Sequence, residues 1–300
     1  MAKAAVDRPH PKRTIGRTLR EILGLLGLFL IPSRTRSHAL YELLGAHNTM
    51  AEESLYLNLG YWRDQSTYDG ACEALAAKLG EAAGLTKGDV VLDCGNGFGD
   101  QDAFWLEEHE LARIVGLNTA APQVELARER FPDARLDFRV GSATELDDFE
   151  DQSFDRVLAL ESAFHFVMRD DFFREARRVL KPGGTIATAD FVRAGPRRGL
   201  GLQDWLGEKG GQALWQWPAE NLYDGAEYAR RLEAAGFVDV ELEDISAEVF
   251  VPFETYARGR LDDPDVVARM NPLLRRLWKI PNSGAIHMSY VVVKARVPGD

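Results

Sequence analysis

The stretch VVLDCGNGFGD, residues 90–100, constrains this chain more than any other. A strand buried on both faces reads as a nearly continuous apolar run, and Val90-Val91-Leu92 begins one. Glycines at 95, 97 and 99 then allow a tight turn or a close approach of backbone to a ligand. A helix opening after them offers free N–H groups and partial positive charge. Strand, bare loop and helix make one half of a crossover unit, and ligands of such sheets bind at the carboxyl edge of the strands.

The pattern continues downstream. Apolar runs at 90–94, 113–117, 137–140, 156–161 and 185–191 alternate with helical patterns at 102–111, 121–131 and 171–180. Alternation of this kind predicts an α/β fold with a parallel sheet. Lys181-Pro182-Gly183-Gly184 predicts a helix stop, because proline cannot continue a helix and glycine permits the reversal. A helix at 228–235, closed by Gly236, precedes strands at 238–245 and 286–295. Two aromatic-rich segments, 193–223 and 247–284, interrupt the rhythm and read as covers or short helices. The expected division is a basic, helical N-terminal part over 1–85 and an α/β body over 86–300 that carries both inserts.

Net charge is −11, which does not favour a nucleic-acid partner. Residues 1–40 nevertheless carry a net +6. The run ILGLLGLFLI at 22–31 is too short to span a bilayer, which takes about 20 apolar residues. Three readings fit it: a helix packed on the body or on a second copy of the chain, a basic helix lying on a membrane surface through residues 15–36, or a cleaved signal with Ser-His-Ala at 37–39 as its end. Cys72 and Cys94 lack metal-site spacing and read as reduced thiols of a cytoplasmic protein, and the six histidines form no ligand pair, so no metal is expected.

The glycine loop itself selects among ligands. A dinucleotide fingerprint needs G-x-G-x-x-G, and position 100 is Asp, which would repel a pyrophosphate. Asp93 at the strand end suits an ammonium group. A ligand with an ammonium, a carboxylate and a nucleoside fits better, and S-adenosylmethionine is such a ligand.

At this point the chain resembles the class I S-adenosylmethionine-dependent methyltransferases of small molecules. VVLDCGNGFGD is similar to their first motif, IVGLNTAAPQVELARER to the second, and EDQSFDRVLALESAFHF and EARRVLKPGGTIATADF to those of the fourth and fifth strands. The likeness covers roughly residues 56–295. It implies a Rossmann-like, doubly wound seven-stranded sheet with an antiparallel last strand, an N-terminal helical cap and lid inserts. It also implies S-adenosylhomocysteine as product.

Carried over by position, Asp93, Gly95, Asn96, Gly97 and Gly99 form the cofactor loop. Asn118, with Thr119 beside it, stands where the family usually has an acidic residue on the ribose, and Gln123 lies near the cofactor. Ser142 replaces the Asp that commonly meets the adenine, leaving Ala143 backbone as a substitute contact. Glu161 ends the fourth strand beneath the expected sulfonium. Tyr41 and Tyr61 resemble lid residues over the methionine end, as in sterol, macrolide and fatty-acyl methyltransferases.

Methyl transfer is an in-line displacement at an already activated carbon, so the protein mainly aligns the partners and excludes water. A hydroxyl acceptor must also lose a proton. His165 is the candidate base, with Asp190 orienting it or binding the acceptor; both fall at the carboxyl edge. Trp205, Trp215, Trp217, Tyr223, Phe250 and Trp278 predict an apolar acceptor pocket, suited to a lipid, isoprenoid or polyketide. Methylation on carbon, or cyclopropanation with Glu161 steadying a cation, is the alternative. A non-catalytic cofactor-binding subunit is a third reading.

Overall fold

The computed structural model describes residues 13–27, 45–195, 217–279 and 287–299. Its elements are, in chain order, α1 (Ile15–Gly27), α2 (Tyr68–Ala83), β1 (Val90–Cys94), α3 (Asp100–Glu108), β2 (Arg113–Asn118), α4 (Ala121–Arg130), β3 (Leu136–Val140), β4 (Phe154–Leu160), α5 (Arg169–Val179) and β5 (Leu180–Arg193). There follow α6 (Gly225–Ala234), β6 (Val238–Asp244), α7 (Ser246–Arg260), α8 (Pro264–Arg269), α9 (Pro272–Trp278) and β7 (Met288–Arg296).

The seven strands form one sheet in the order β3-β2-β1-β4-β5-β7-β6. β1 pairs in parallel with β2 and β4, β4 with β5, and β7 runs antiparallel to both β5 and β6. The order reverses between β1 and β4, so a crevice opens outside their carboxyl ends. The glycine loop sits at that crevice.

The apolar runs explain the layers. Val91, Leu92, Val157, Leu158 and Ala159 are fully buried, because both faces of β1 and β4 are covered. On one face Leu75, Leu79, Trp105 and Phe253 pack with Val91 and Leu158. On the other, Phe172, Phe173, Tyr228 and Leu232 pack with Leu92 and Val157. The Trp105 indole donates to the Ala76 carbonyl at 2.7 Å, joining α3 to α2 through a buried polar group that would otherwise be unsatisfied. Thr67 caps α2 through the Gly70 N–H, and Gly84 closes it in the left-handed region.

One local expectation shifts. The helix before Lys181 ends at Val179, and Lys181-Pro182-Gly183-Gly184 already belongs to β5, whose register with β4 slips there. The 247–284 insert contains α7, α8 and α9. Helix α1 docks through buried polar groups: His47 Nε2 lies 2.5 Å from Glu21 Oε1, and Asn271 Nδ2 donates to Glu21 Oε2 at 2.8 Å. None of the described helices is long and apolar enough to cross a membrane. Cys72 and Cys94 are buried and unbridged.

Candidate active site

A cleft of about 1170 Å³, its open mouth included, lies over the carboxyl ends of β1, β2 and β4. Its floor is the glycine loop. Gly95, Gly97 and Gly99 have φ of 110°, 53° and 86°, a region that favours glycine. A Cβ on Gly95 would lie 2.4 Å from that of Ser162, so the loop touches the end of β4 directly. Ser162 Oγ donates to the Cys94 carbonyl at 2.5 Å, tying the two strand ends.

At the end of β2, Asn118 Nδ2 donates to Gln123 Oε1 at 2.9 Å, and Asn118 Oδ1 accepts from the Ala120 N–H at 3.0 Å. Asn118, Thr119 and Gln123 all line the cleft, as do Ser142 and Ala143 beyond β3. Ser142 Oγ is 2.8 Å from Thr144 Oγ1.

Glu161 follows β4 with φ of 48°, unusual for a side-chain-bearing residue. The Leu59 N–H and the Tyr290 hydroxyl each donate to its Oε1 at 2.7 Å. Burial pushes its carboxyl up to about 7, against the pull of these two donors. His165 closes the short turn Ala163–His165, and both Glu161 and His165 line the cleft.

The strap at 55–59 forms the remaining wall, through Leu55, Tyr56, Leu57 and Asn58. The Leu55 N–H donates to Asp100 Oδ1 at 3.2 Å, so the strap is held to one carboxylate near each end. Asp100 also receives both terminal nitrogens of Arg130, at 2.6 and 2.7 Å. Its charge is therefore matched within the protein, and the repulsion expected from this residue is muted.

Several expected residues lie elsewhere. Asp93 is fully buried under the loop and accepts from Gln101 Nε2 at 2.7 Å; Gln101, not Asp93, faces the cleft. Asp190 is also fully buried. Its Oδ2 lies 3.2 Å from Arg169 Nε and accepts from the Tyr228 hydroxyl at 3.1 Å, and its Oδ1 accepts from the Phe191 N–H at 2.8 Å. Burial pushes the Asp190 carboxyl up and Arg169 draws it back. The Phe164 backbone also draws the Asp190 carboxyl down.

Tyr61 is outside the cleft lining, its ring lying beneath Arg63 and Lys78. Trp217 and Phe250 pack around Phe191, at 5.5 and 6.1 Å between ring centroids, behind the turn that carries His165. Tyr223 packs under Arg169 and Arg231. Tyr41, Trp205 and Trp215 lie outside the described residues, as does the side chain of Trp278.

Gln101, Tyr56, Asn58 and Ser162 line the cleft and were not foreseen. The usable signal for Gln101 was a neutral polar residue in the first helical turn after the loop. Asn58 Nδ2 and Asn96 Oδ1 are buried on lining residues without a partner among the described residues, the kind of group a bound ligand satisfies. Bare loop backbone, two amides at the end of β2 and a carboxylate at the end of β4 fit a nucleoside-bearing amino acid. Among the described residues no cluster of His, Cys, Asp or Glu could hold a metal ion.

Comparison with known proteins agrees with this geometry. Residues 92–188 match a family model described as a methyltransferase domain. Erythromycin 3''-O-methyltransferase of Saccharopolyspora erythraea is 37% identical over 279 residues, covering 88% of this chain and 91% of that protein. The 27-O-demethylrifamycin SV methyltransferase of Amycolatopsis mediterranei is 34% identical over 197 residues, 63% of this chain and 69% of that protein. Geranyl diphosphate C-methyltransferase from Streptomyces coelicolor, solved with S-adenosyl-L-homocysteine, superposes with a TM-score of 0.68 over 89% of this chain and 98% of that one, at 16% identity. The last shows the shared fold; the first two carry sequence kinship along most of the chain. This protein belongs to the class I S-adenosylmethionine-dependent methyltransferases of small molecules, and is an enzyme of that kind.

Proposed function

We propose that the enzyme methylates a hydroxyl group of a large, mostly apolar natural product, of the kind named for its erythromycin and rifamycin relatives, with His165 taking the proton. The observation that carries this reading is the 37% identity to an O-methyltransferase across 88% of the chain. The cofactor, S-adenosylmethionine, supplies a methyl group on a sulfonium and leaves as S-adenosylhomocysteine. Gly95, Gly97, Gly99, Asn118 and Gln123 would hold it, with Asn96, Thr119, Ser142 and Ala143 around them. The chain's own part in the chemistry is to align the acceptor, exclude water and accept one proton.

Two groups in the cleft can accept that proton. His165 stands on a turn locked from behind: Asn221 Nδ2 donates to the Phe164 and Phe166 carbonyls at 3.1 and 2.6 Å. A fixed ring is what a base must be if its proton transfer is to coincide with displacement. Glu161, with its carboxyl near 7, is the second group, and it suits the alternative of methylation on carbon, where a carboxylate steadies developing positive charge.

His165→Ala should lower kcat by about 10²–10⁴-fold, with S-adenosylhomocysteine binding unchanged. The assay is mass-spectrometric detection of methylated product from a panel of O-demethyl macrolides and ansamycins. A loss under tenfold in His165→Ala, together with disappearance of the acid limb of the rate profile in Glu161→Gln, would move the base from His165 to Glu161. Wild-type enzyme that methylates none of the panel would remove the acceptor class.

A further inference from the structure

Beneath the glycine loop lies a feature that methyl transfer does not require. Asp93, on β1, and Asp102, in the first turn of α3, are both fully buried. Gly116 on β2 pairs with Asp93, and a Cβ on Gly116 would stand 3.0 Å from Asp102 Oδ1, so the two carboxyl groups lie side by side under the loop. Gln101 Nε2 satisfies Asp93 Oδ2, but among the described residues no other side chain donates to Asp93 Oδ1 or to either oxygen of Asp102. Two buried carboxyl groups this close, with Gln101 donating to one oxygen of the pair, repel one another when both are charged, which favours one proton held between them.

The surroundings reinforce this. Asp100, in the same turn as Asp102, adds negative charge, and its cationic partner Arg130 is already engaged in the bidentate contact. Cys94, beside Asp93, is a buried thiol pushed up by burial and by Asp93. From the strap, the Tyr56 phenol is likewise pushed up, first by burial, then by Asp100 and, more weakly, Asp102. None of these groups brings a positive charge to the pair.

The pair is nevertheless one side chain away from the cleft. Gln101 Nε2 spans Asp93 Oδ2 at 2.7 Å and the Gly95 carbonyl at 3.4 Å, and Gln101 lines the cleft. A cation arriving at the loop therefore acts on the pair through a single bridging amide.

We propose that Asp93 and Asp102 share one proton beneath the cofactor loop, and that the cofactor's ammonium group, binding above them, drives that proton into solvent. Only an O–H bond breaks, and a buffer base takes the proton. Gln101 is then a positioning residue that couples the loop to the pair. Burial pushes both carboxyls above their ordinary values, Asp93 to about 7. A nearby positive charge lowers such an acid by about 1–3 units, which favours loss of the proton when the ligand binds. By linkage, affinity for the cofactor rises with pH over the range in which the proton leaves.

The test is calorimetric and does not depend on the acceptor. S-adenosylhomocysteine, which keeps the ammonium group and does not react, is titrated into wild-type protein and Asp102→Asn at pH 7, in buffers of different ionisation enthalpy. Asparagine keeps the shape and gives Asp93 a donor, so no shared proton remains. Wild type should release about 0.3–1 proton per ligand bound, and Asp102→Asn about none. Binding without release in wild type, or equal release in the variant, overturns the inference and leaves the cofactor site standing. Absence of binding heat overturns both. If Asp102→Asn does not fold, carbon-13 NMR of the wild-type Asp carboxyls replaces it. One Asp resonance should titrate near neutral in the free protein and leave that range when S-adenosylhomocysteine binds; no such resonance, or one that the ligand does not move, overturns the inference.

Discussion

Gly95→Ala should abolish measurable cofactor binding and cost several kcal/mol of stability. At φ of 110° an L-residue is strained, which costs about 1–3 kcal/mol. The added Cβ would also stand 2.4 Å from Ser162 Cβ and 2.8 Å from Ser162 Oγ. Neither side can give way cheaply. Ser162 Oγ is hydrogen-bonded to the Cys94 carbonyl, and the Gly95 N–H donates to the Leu117 carbonyl at 2.7 Å. The overlap must be relieved by parting the carboxyl ends of β1 and β4, at a cost of about 1–3 kcal/mol for overpacking. The cleft lies across those same ends, so S-adenosylhomocysteine affinity should fall at least about a hundredfold, which is 2.7 kcal/mol or more. Gly97→Ala separates ligand contact from fold. Its φ is 53°, and the nearest atom to a new Cβ is Leu57 Cδ1 at 3.9 Å. It should weaken binding with a much smaller change in melting temperature. Equal loss of stability in the two variants would contradict the argument from Ser162.

Arg169→Met should have the second largest effect, on stability. Arg169 and Asp190 have no exposed side-chain surface, and the guanidinium lies 4.9 Å from the ring centroids of both Tyr223 and Tyr228. Removing one member of such a pair leaves a buried charge uncompensated, at about 3–5 kcal/mol. For a chain of this size that is a drop in melting temperature of roughly 10 °C. The loss depends on pH, with a definite sign. Without Arg169 the Asp190 carboxyl loses the partner that draws it down and rises further under burial. A carboxyl raised in the folded state stabilises most below its unfolded pKa, and that stability is lost as pH rises through the folded value. Arg169→Met should therefore be closer to wild type at pH 5 than at pH 8. Adding Asp190→Leu should recover part of the loss at pH 8. Catalysis should fall as well, because Arg169 Nε reaches the Ala163 carbonyl at 3.5 Å, on the turn that carries His165. A melting temperature within 3 °C of wild type at pH 8 would contradict this reading.

The two variants probe different kinds of legibility. Gly95 could be read as a cofactor glycine from its neighbours in sequence, because a strand, a bare loop and a helix make their geometry within eleven residues. Its clash partner, Ser162, could not: it arrives just after β4, 67 residues later. Asp190 was legible as a carboxylate at the edge of the sheet, but not as the partner of Arg169. A residue at a strand end can turn toward the cleft or into the layer beneath, and the choice rests with the neighbour that is already buried there. Asp93 took the inward course for the same reason, with Gln101 and Asp102 waiting on α3. Tyr61 was read as a lid over the cofactor, but the strap meets the cleft through Tyr56 and Asn58, and Tyr61 lies on the far side of Gly60 under two cations.

The resemblance to the methyltransferases supplied Asn118, Gln123 and Glu161, while local sequence alone determined the α/β alternation, the glycine loop and the place of His165 just past a strand end. These depend on hydrophobic period, backbone freedom and strand ends, which act over a few residues. Only the tertiary structure decided which carboxylates face the ligand and which are folded away. Glu161 stays in the cleft because donors from Leu59 and Tyr290, more than 100 residues distant on either side, converge on one of its oxygens. Asp93 and Asp190 are withdrawn into the protein, where Gln101 and Arg169 meet one oxygen of each, and burial, not position in the chain, sets the charge that each can carry.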